Sequence, residues 1–524
     1  MRPSVWELWG VALFLFVVGV VSYGWYVFHG GLYGDDWGTA SAYRFAHGWR
    51  LWTSIEQQAH QLGGRPILAA LLPLPFAVLG VGPHAHLALA LGLGMFTSLC
   101  FYALLRVLGL GRAPAAVISA LALVFPWSDS IRLWPTASLN SVAVCFFLMG
   151  LAVALLGLEQ RGRRAAAYHA LAALLYLASV LTYEVAGAAV VLAVVLYLRR
   201  GPVRAALACW LVDLVVVVAG LTYSLLRTIP VRHVGTLQQR IADAHEMARE
   251  SLVMLVWTLV PVHSATKPVQ ATVLAAVLLI VAVALYRTNR SQAQELRRWL
   301  CVAGVSVLAI AAAYFMLLGS GIHPTSAAAG TRANVFAGLA YVALAYALAS
   351  LLAHLLFRTL PAAHLATLAI ACLIAAGYGV KLARDESAWA SASRLQQPLI
   401  RTIDRTLPHL RSGSTVVTFD YPAQVSPGAP VFVAIWDLTG AVQLDRGNDP
   451  TLHAYPVYQG ATLACRTGHF LLHLPGSRGN ARPPYGRLFF LDGDSAHVRQ
   501  IRDERECRTA LATFRPGPAF VAAG

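Results

Sequence analysis

The sequence predicts a polytopic α-helical membrane protein that carries a small external C-terminal α/β or α+β domain. Two observations lead to this fold class. Hydrophobic residues make up 58% of the 524 residues, charged residues only 12%, and the mean hydropathy is +0.61. Long apolar windows recur along about the first 380 residues, whereas the remainder is polar and rich in turn residues. A soluble domain carries roughly 25% charged residues, so most of this chain is expected to be solvated by lipid.

Apolar windows long enough to cross a hydrocarbon core about 30 Å thick predict about eleven membrane spans. They lie near residues 6–28, 84–106, 113–127, 135–157, 166–182, 184–198, 204–226, 269–286, 299–318, 334–356 and 363–380. The first window is too long for a signal peptide and lacks a small-x-small cleavage site, so we expect a retained first span. The apolar segments 66–82 and 251–262 are shorter, and we assign both to interfacial or re-entrant helices. If either of these two segments does span the membrane, the orientation of everything after it reverses.

Arginine clusters occupy every second predicted loop, which is a topology signal. The clusters contain Arg106, Arg112, Arg161, Arg163, Arg164, Arg199, Arg200, Arg204, Arg287, Arg290, Arg297, Arg298 and Arg358. The positive-inside rule then places the N-terminus in the cytoplasm and segments 29–83, 128–134, 227–268 and 319–333 outside the inner membrane. Because the net charge of +16 resides in these loops, and no basic face is interleaved with stacking aromatics, we exclude nucleic acid as a partner.

The chain changes character after Lys381, where Asp, Arg, Pro and Gly become frequent. We therefore divide it into a transmembrane domain, 1–381, with an external loop 1 at 29–83, and an extracytoplasmic domain, 382–524. Segments 414–420, 431–436 and 487–491 are predicted strands, and 384–410 is a predicted helix. Cys465 and Cys507 are the two cysteines of the external domain, and an oxidising exterior would allow them to form a disulfide.

The stretch Gly34-Asp35-Asp36-Trp37 follows the first span and contains the most informative carboxylates. Two adjacent carboxylates close to lipid phosphates repel one another unless a cation or a proton is taken up. A catalytic pair is one interpretation, and a solvated turn with local hydrogen bonds is the other.

Four further side chains on the predicted outer side are candidates for binding a donor phosphate or substrate: Arg65, Arg132, Glu184 and Arg332. Departure of a phosphate requires stabilising cations, although each of these arginines could equally anchor its segment at the interface. Glu184 lies between two spans with almost no loop, where a carboxylate is costly unless it faces a polar cavity.

Other ionisable residues have structural alternatives. Asp129 could pair with Arg132, and we expect Asp213 to pair inside the bundle. His84 and His86 are candidate metal ligands with Asp36, but the sequence establishes no metal. A divalent cation stays open as a cofactor.

In layout the chain resembles the GT-C glycosyltransferases, which include protein O-mannosyltransferases and lipid A aminoarabinose transferases. The resemblance rests on a first span, an external loop that opens with Asp35-Asp36, the Gly64-Arg65-Pro66 element before an apolar segment, and an external C-terminal domain. The family's pair is often Asp-Glu. The resemblance implies an inverting hexosyl- or pentosyltransferase that takes its sugar from a polyprenyl-phosphate carrier. It also implies that Asp35 is the general base, that Asp36 is its neighbour in the site, and that the acceptor is an envelope glycan, lipid or protein.

Two alternative functions stay open at this stage. A transporter or lipid flippase would use Asp213 and Glu184 as coupling residues, but the sequence has no repeated halves with matching broken helices. Another envelope transferase or a polymer ligase is the second alternative. Acyl transfer would favour an essential histidine, whereas the polar loops here feature carboxylates.

Overall fold

The computed structural model describes residues 3–228, 237–261, 267–287, 293–318, 324–357, 359–447, 449–475 and 479–523. Parts of the predicted external segments 227–268 and 319–333 lie outside these ranges.

The N-terminal region consists of one membrane-spanning helix and a loop 1 that is itself helical. Its helices are α1 (Val5–His29), α2 (Asp35–Arg44), α3 (Arg50–Leu62), α4 (Pro66–Leu71) and α5 (Pro73–Leu79). The side chain of Ser4 caps α1 by accepting a hydrogen bond from the Glu7 amide at 3.1 Å. The α4–α5 segment begins with proline, is 14 residues long and therefore rises about 21 Å. That is less than the membrane core, so the structure favours the interfacial assignment of 66–82.

The remaining helices of the membrane region follow in sequence. They are α6 (Pro83–Val107), α7 (Arg112–Leu123), α8 (Ser130–Leu133), α9 (Pro135–Ser138), α10 (Asn140–Gly157), α11 (Gly162–Thr182), α12 (Val190–Leu198), α13 (Val203–Thr228), α14 (Leu237–Leu259), α15 (Lys267–Arg287), α16 (Ala293–Phe315), α17 (Ala337–Leu356) and α18 (Leu360–Thr406). Short 3₁₀ helices occur at Pro126–Ser128, Glu184–Ala189 and Ala328–Asn334.

Each of the eleven predicted windows falls on a helix, and eight helices in the described residues are long and apolar enough to cross a membrane. The other three windows correspond to the shorter apolar helices Arg112–Leu123, Glu184–Leu198 and Thr272–Leu285. The protein is therefore a multi-pass helical membrane protein, as predicted.

Helix α17 lies at the centre of the bundle. Burial covers 83% of its most apolar window, compared with 22% for α1 and α13, which face lipid. Alanines recur along α17, and their small side chains allow neighbouring helices to approach closely.

Helix α18 connects the membrane region to the C-terminal domain without interruption. Its 47 residues rise about 70 Å, more than twice the thickness of the membrane core. The predicted helix at 384–410 is confirmed as the second half of α18. The predicted division at 381/382 falls inside this continuous helix.

The C-terminal domain contains a four-stranded sheet and two helices. Its elements are β1 (Thr415–Phe419), β2 (Gln424–Val425), β3 (Ala429–Pro430), α19 (Ile435–Arg446), β4 (His453–Pro456), β5 (Thr462–Arg466), β6 (His469–His473), β7 (Leu488–Asp492), β8 (Val498–Ile501), α20 (Glu504–Leu511) and β9 (Phe520–Val521). The main sheet has the order β4-β1-β7-β8, in which β1 is parallel to β4 and β7, and β8 is antiparallel.

Two of the three strand predictions are confirmed, by β1 and β7. The prediction for 431–436 is wrong because these residues lead into α19. The amides of Val433 and Ala434 donate to the Asp437 carboxylate at 2.7 and 3.1 Å, so a side chain satisfies them instead of a neighbouring strand. The predicted disulfide between Cys465 and Cys507 is confirmed; it joins β5 to α20 with the Cα atoms 5.9 Å apart.

Candidate functional site

Asp35 and Asp36 are adjacent in sequence but have different surroundings. Asp36 is fully buried and accepts hydrogen bonds from the amides of Tyr33 and Thr136, both at 2.8 Å. Burial raises the pKa of Asp36 to about 7, against the lowering effect of these hydrogen bonds. Asp36 therefore fastens loop 1 to the start of α9, and its carboxylate does not reach solvent.

Asp35 is exposed at the first residue of α2. Its carboxylate accepts a hydrogen bond at 2.9 Å from the indole N–H of Trp436, which belongs to α19 of the C-terminal domain. Gly34, before it, has a φ of +48°, and a Cβ there would lie 3.0 Å from the Trp134 ring. This backbone conformation, which glycine adopts at little cost, allows Asp35 and Asp36 to point in different directions.

Helix α19 packs tightly on α2, so the C-terminal domain forms one wall of the site. A Cβ on Gly440 would lie 2.4 Å from the carbonyl oxygen of Trp37. Next to this contact, the Ser41 hydroxyl donates to Gln443 Oε1 at 2.5 Å. The residue type at position 440 thus sets how closely the two helices approach.

Asp437 follows Trp436 and stabilises the start of α19. It is fully buried, and in addition to the amides of Val433 and Ala434 it accepts the Leu438 amide at 2.6 Å. Burial raises the pKa of Asp437 to about 7. Asp437 therefore holds the helix that presents Trp436 to Asp35.

Arg332 is a candidate cation that contacts the tryptophan next to the Gly34 turn. Its guanidinium carbon is 5.0 Å from the centroid of the Trp134 ring, the same ring that contacts Gly34. The side chain is partly exposed. Within the described part of the chain, Arg332 forms no ion pair. Trp134 thus contacts both Arg332 and the glycine that precedes Asp35, and the side chains of Asp35 and Arg332 are both at least partly exposed.

Arg65 and Glu184 are brought together, but as partners of each other. Nε and Nη2 of Arg65 donate to the two carboxylate oxygens of Glu184 at 2.8 and 3.0 Å, and the guanidinium lies 4.5 Å from the Tyr183 ring centroid. This bidentate pair joins loop 1 to the 3₁₀ helix after α11. It satisfies the half-buried carboxylate of Glu184 without a substrate.

Arg132 lies inside the bundle instead of on the external surface. It donates to the Tyr23 hydroxyl and to the Phe125 carbonyl, both at 2.7 Å. The suggested pair between Asp129 and Arg132 does not form. Asp129 instead accepts a hydrogen bond from Thr331 at 3.0 Å. Arg132 therefore stabilises the packing between α1 and the segment that follows α7.

A cluster of buried charged residues on α18 was not identified from the sequence. Lys381 and Asp385 form an ion pair one turn apart, and Glu386 is buried next to them. Burial raises the pKa of Asp129 well above its usual value, and the nearby negative charge of Asp385 raises it further. The i,i+4 spacing of Lys381 and Asp385 was an available signal. These groups connect the segment after α7 to α18.

The remaining sequence candidates have structural partners. Asp213 accepts a hydrogen bond from the Tyr197 hydroxyl at 2.6 Å, which confirms the expected pairing inside the bundle. His86 Nε2 contacts the Gly80 carbonyl oxygen at 2.7 Å, and the His84 ring lies 6.1 Å from that of Phe28. Among the described residues, no three His, Cys, Asp or Glu side chains come together as a metal site, so the suggested His84–His86–Asp36 set is not assembled.

No protein-family model and no curated protein matches this sequence. The solved structures that are similar to it include two membrane glycosyltransferases. The Archaeoglobus fulgidus oligosaccharyltransferase has 13% identity and a TM-score of 0.42, over 85% of this chain and 62% of that chain. ArnT from Cupriavidus metallidurans has 12% identity and a TM-score of 0.35, over 83% of this chain and 84% of that chain. Both belong to the class that the sequence resembles.

Proposed function

We propose that this chain is a membrane glycosyltransferase that transfers a sugar from a polyprenyl-phosphate carrier to an envelope glycan, lipid or protein on the extracytoplasmic face. The observation that carries the proposal is the exposed carboxylate of Asp35 where loop 1 meets the C-terminal domain. The partly exposed Arg332 packs on Trp134, and the ring of Trp134 also lies against the Gly34 turn before Asp35. Asp35 follows the end of α1 by six residues, at the border of the membrane. A phosphate head group can reach this position while its polyprenyl tail stays in lipid.

The chemistry requires one base and one cation. Asp35 takes the proton of the acceptor hydroxyl while the oxygen of that hydroxyl bonds to the anomeric carbon of the sugar. The bond from that carbon to the carrier phosphate breaks, and the phosphate leaves with the electron pair. Arg332 stabilises the charge that develops on the departing phosphate. A single displacement of this kind inverts the anomeric configuration. Trp436, whose side chain is exposed, supplies an aromatic surface on which a sugar can pack.

The polar contacts of loop 1 and of the C-terminal domain keep Asp35 in place. Asp36 and Asp437 position the two helices that meet at Asp35, and the hydroxyl of Tyr33 donates to the Trp389 carbonyl of α18 at 2.8 Å. We assign Asp36 and Asp437 positioning roles. The residues that a transporter would use for coupling, Asp213 and Glu184, are both engaged in hydrogen bonds within the described structure.

Incubating the purified protein with a panel of radiolabelled polyprenyl-phosphate sugars and an envelope extract tests this proposal. The wild type should transfer label from at least one carrier. Arg332→Gln should reduce the rate about 10²–10³-fold, the usual effect of losing one group that stabilises developing charge. Arg161→Gln, which removes an exposed arginine at the other end of the bundle, is the matched control and should transfer normally. Equal rates for Arg332→Gln and the control would contradict the role of Arg332.

The proposed orientation places the N-terminus in the cytoplasm and residues 382–524 outside. Its support is the arginine-rich end of the bundle: Glu7 of α1 binds Arg106 and Arg112, and Arg200 binds Glu159. A C-terminal alkaline phosphatase fusion should be active and a C-terminal green fluorescent protein fusion dark. The opposite pattern would overturn the orientation.

A further inference from the structure

An elongated apolar cavity of about 470 Å³ lies between the helices at the arginine-rich end of the bundle. Helices α6, α10, α12, α16 and α17 contribute its walls, which include Phe101, Leu105, Leu148, Leu192, Val302 and Leu339. Val195 and Leu308 also line the cavity and are exposed at the lipid-facing surface. The cavity is therefore continuous with the hydrocarbon core of the membrane.

Four arginines line one end of this cavity: Arg199, Arg200, Arg297 and Arg298. Two of them have oxygen partners. Arg200 binds Glu159 at 3.0 Å, and Arg298 donates to the Gly109 carbonyl oxygen at 3.0 Å.

The other two, Arg199 and Arg297, are exposed, and neither forms an ion pair with a described carboxylate. Arg199 donates a hydrogen bond to the Cys301 sulfur at 3.7 Å. The mouth of the cavity thus carries positive charge that the described residues do not neutralise.

The cavity extends over about half of the membrane. From Arg297 to Ala309, its lining residues on α16 span about 18 Å. The hydrocarbon core is about 30 Å thick, so this depth matches the acyl layer of a single leaflet. An apolar space of this depth that opens at a cationic mouth fits a lipid whose phosphate lies at the interface.

The cavity is also remote from the candidate active site. Loop 1 packs at the N-terminal end of α6, where a Cβ on Gly30 would lie 2.9 Å from Leu87. The cavity begins near Phe101 and reaches Leu110, just beyond the other end of the same helix. Its occupant therefore comes from the leaflet opposite to Asp35.

We propose that this cavity binds an anionic glycerophospholipid from that opposite leaflet. One acyl chain lies between α12 and α16, and the phosphate contacts Arg199 and Arg297. The bound lipid fills the space between these helices and compensates the two guanidinium groups, which no described carboxylate neutralises. This site is separate from the proposed transfer reaction and does not depend on it.

Native mass spectrometry of the purified full-length chain tests the proposal with two lipids that share dioleoyl chains, phosphatidylglycerol and phosphatidylcholine. At equal concentrations, the wild type should retain phosphatidylglycerol at least tenfold better. Arg199→Gln/Arg297→Gln should lower its retention to the level of phosphatidylcholine. The matched control Arg161→Gln/Arg163→Gln removes two exposed arginines at the same end that do not line the cavity, and it should retain phosphatidylglycerol normally.

A second pair of variants tests the acyl-chain part of the site. Val305→Phe places a ring in the cavity and should reduce phosphatidylglycerol retention, whereas Val307→Phe, on the exposed face of the same helix, should not. Equal retention of the two lipids by the wild type would overturn the proposal. So would equal losses in the cavity and control variants, or displacement of phosphatidylglycerol by an equimolar polyprenyl phosphate. None of these outcomes depends on glycosyl transfer.

Discussion

Gly440→Ala perturbs the contact between loop 1 and the C-terminal domain with a single methyl group. The new Cβ would lie 2.4 Å from the carbonyl oxygen and 2.6 Å from the carbonyl carbon of Trp37. Both are backbone atoms of α2, so no side-chain rotation relieves the overlap and the two helices must separate. Overpacking of this kind costs about 1–3 kcal/mol. The higher helix propensity of alanine offsets about 1 kcal/mol of that cost.

The same displacement reaches the candidate site. Trp436 lies one turn before Gly440 on α19, and Asp35 lies two residues before Trp37 on α2. Separating the helices therefore lengthens the hydrogen bond between Asp35 and Trp436, now 2.9 Å. We expect glycosyl transfer by Gly440→Ala to fall although Gly440 itself contacts no substrate.

Thermal unfolding in detergent micelles, followed by intrinsic fluorescence, measures the effect on stability. Gly379→Ala is the matched control because a Cβ there meets no atom within 4 Å. Gly440→Ala should be less stable than this control by about 1–3 kcal/mol. A Gly440→Ala protein that is as stable as the control and transfers sugar normally would refute the close packing of α2 on α19.

Three further predictions follow from individual contacts. Arg65→Gln and Glu184→Gln should each lower the free energy of unfolding by about 1–3 kcal/mol, and the double variant should lose less than the sum of the two. Additive losses in chemical unfolding would contradict the ion pair. Replacing Cys465 and Cys507 by serine should lower stability by about 2–4 kcal/mol, and free thiols in unreduced wild-type peptides would contradict the disulfide. Because burial raises the pKa of Asp36 to about 7, the folded state binds more protons than the unfolded state between about pH 4 and 7. Stability should therefore fall as pH rises through that window and level off above it, and an Asp36→Asn variant with the same slope as wild type would contradict this.

Hydropathy predicted the helices well because membrane burial is a local property of the sequence. A continuous apolar run of about 20 residues has few stable conformations in lipid other than a helix. The same reasoning placed a boundary at residue 382, where the composition changes, but α18 continues through that boundary because its backbone hydrogen bonds do not depend on polarity. The strand prediction at 431–436 failed because the Asp437 side chain competes for the amides before it.

The candidate site was predictable only in part. Asp35 and Arg332 stood out in the sequence because charged residues are scarce in the membrane region. The surroundings of Asp35 could not be predicted from the sequence. The hydrogen bond from Trp436 to Asp35 joins residues 401 positions apart, and no local pattern encodes it. The division between the exposed Asp35 and the buried Asp36 likewise follows from the turn at Gly34 and from the distant Thr136 amide.

The rate of glycosyl transfer by Asp35→Asn tests the central claim most directly. Asparagine preserves the shape of the side chain and its acceptor for the Trp436 N–H, but it cannot take a proton. Glu56→Gln is the matched control because Glu56 is another exposed loop 1 carboxylate that accepts an indole N–H, from Trp52 at 2.6 Å. Asp35→Asn should fold like the wild type and transfer sugar about 10²–10⁴-fold more slowly, while Glu56→Gln transfers normally. Near-full transfer by folded Asp35→Asn would contradict the assignment of Asp35 as the base.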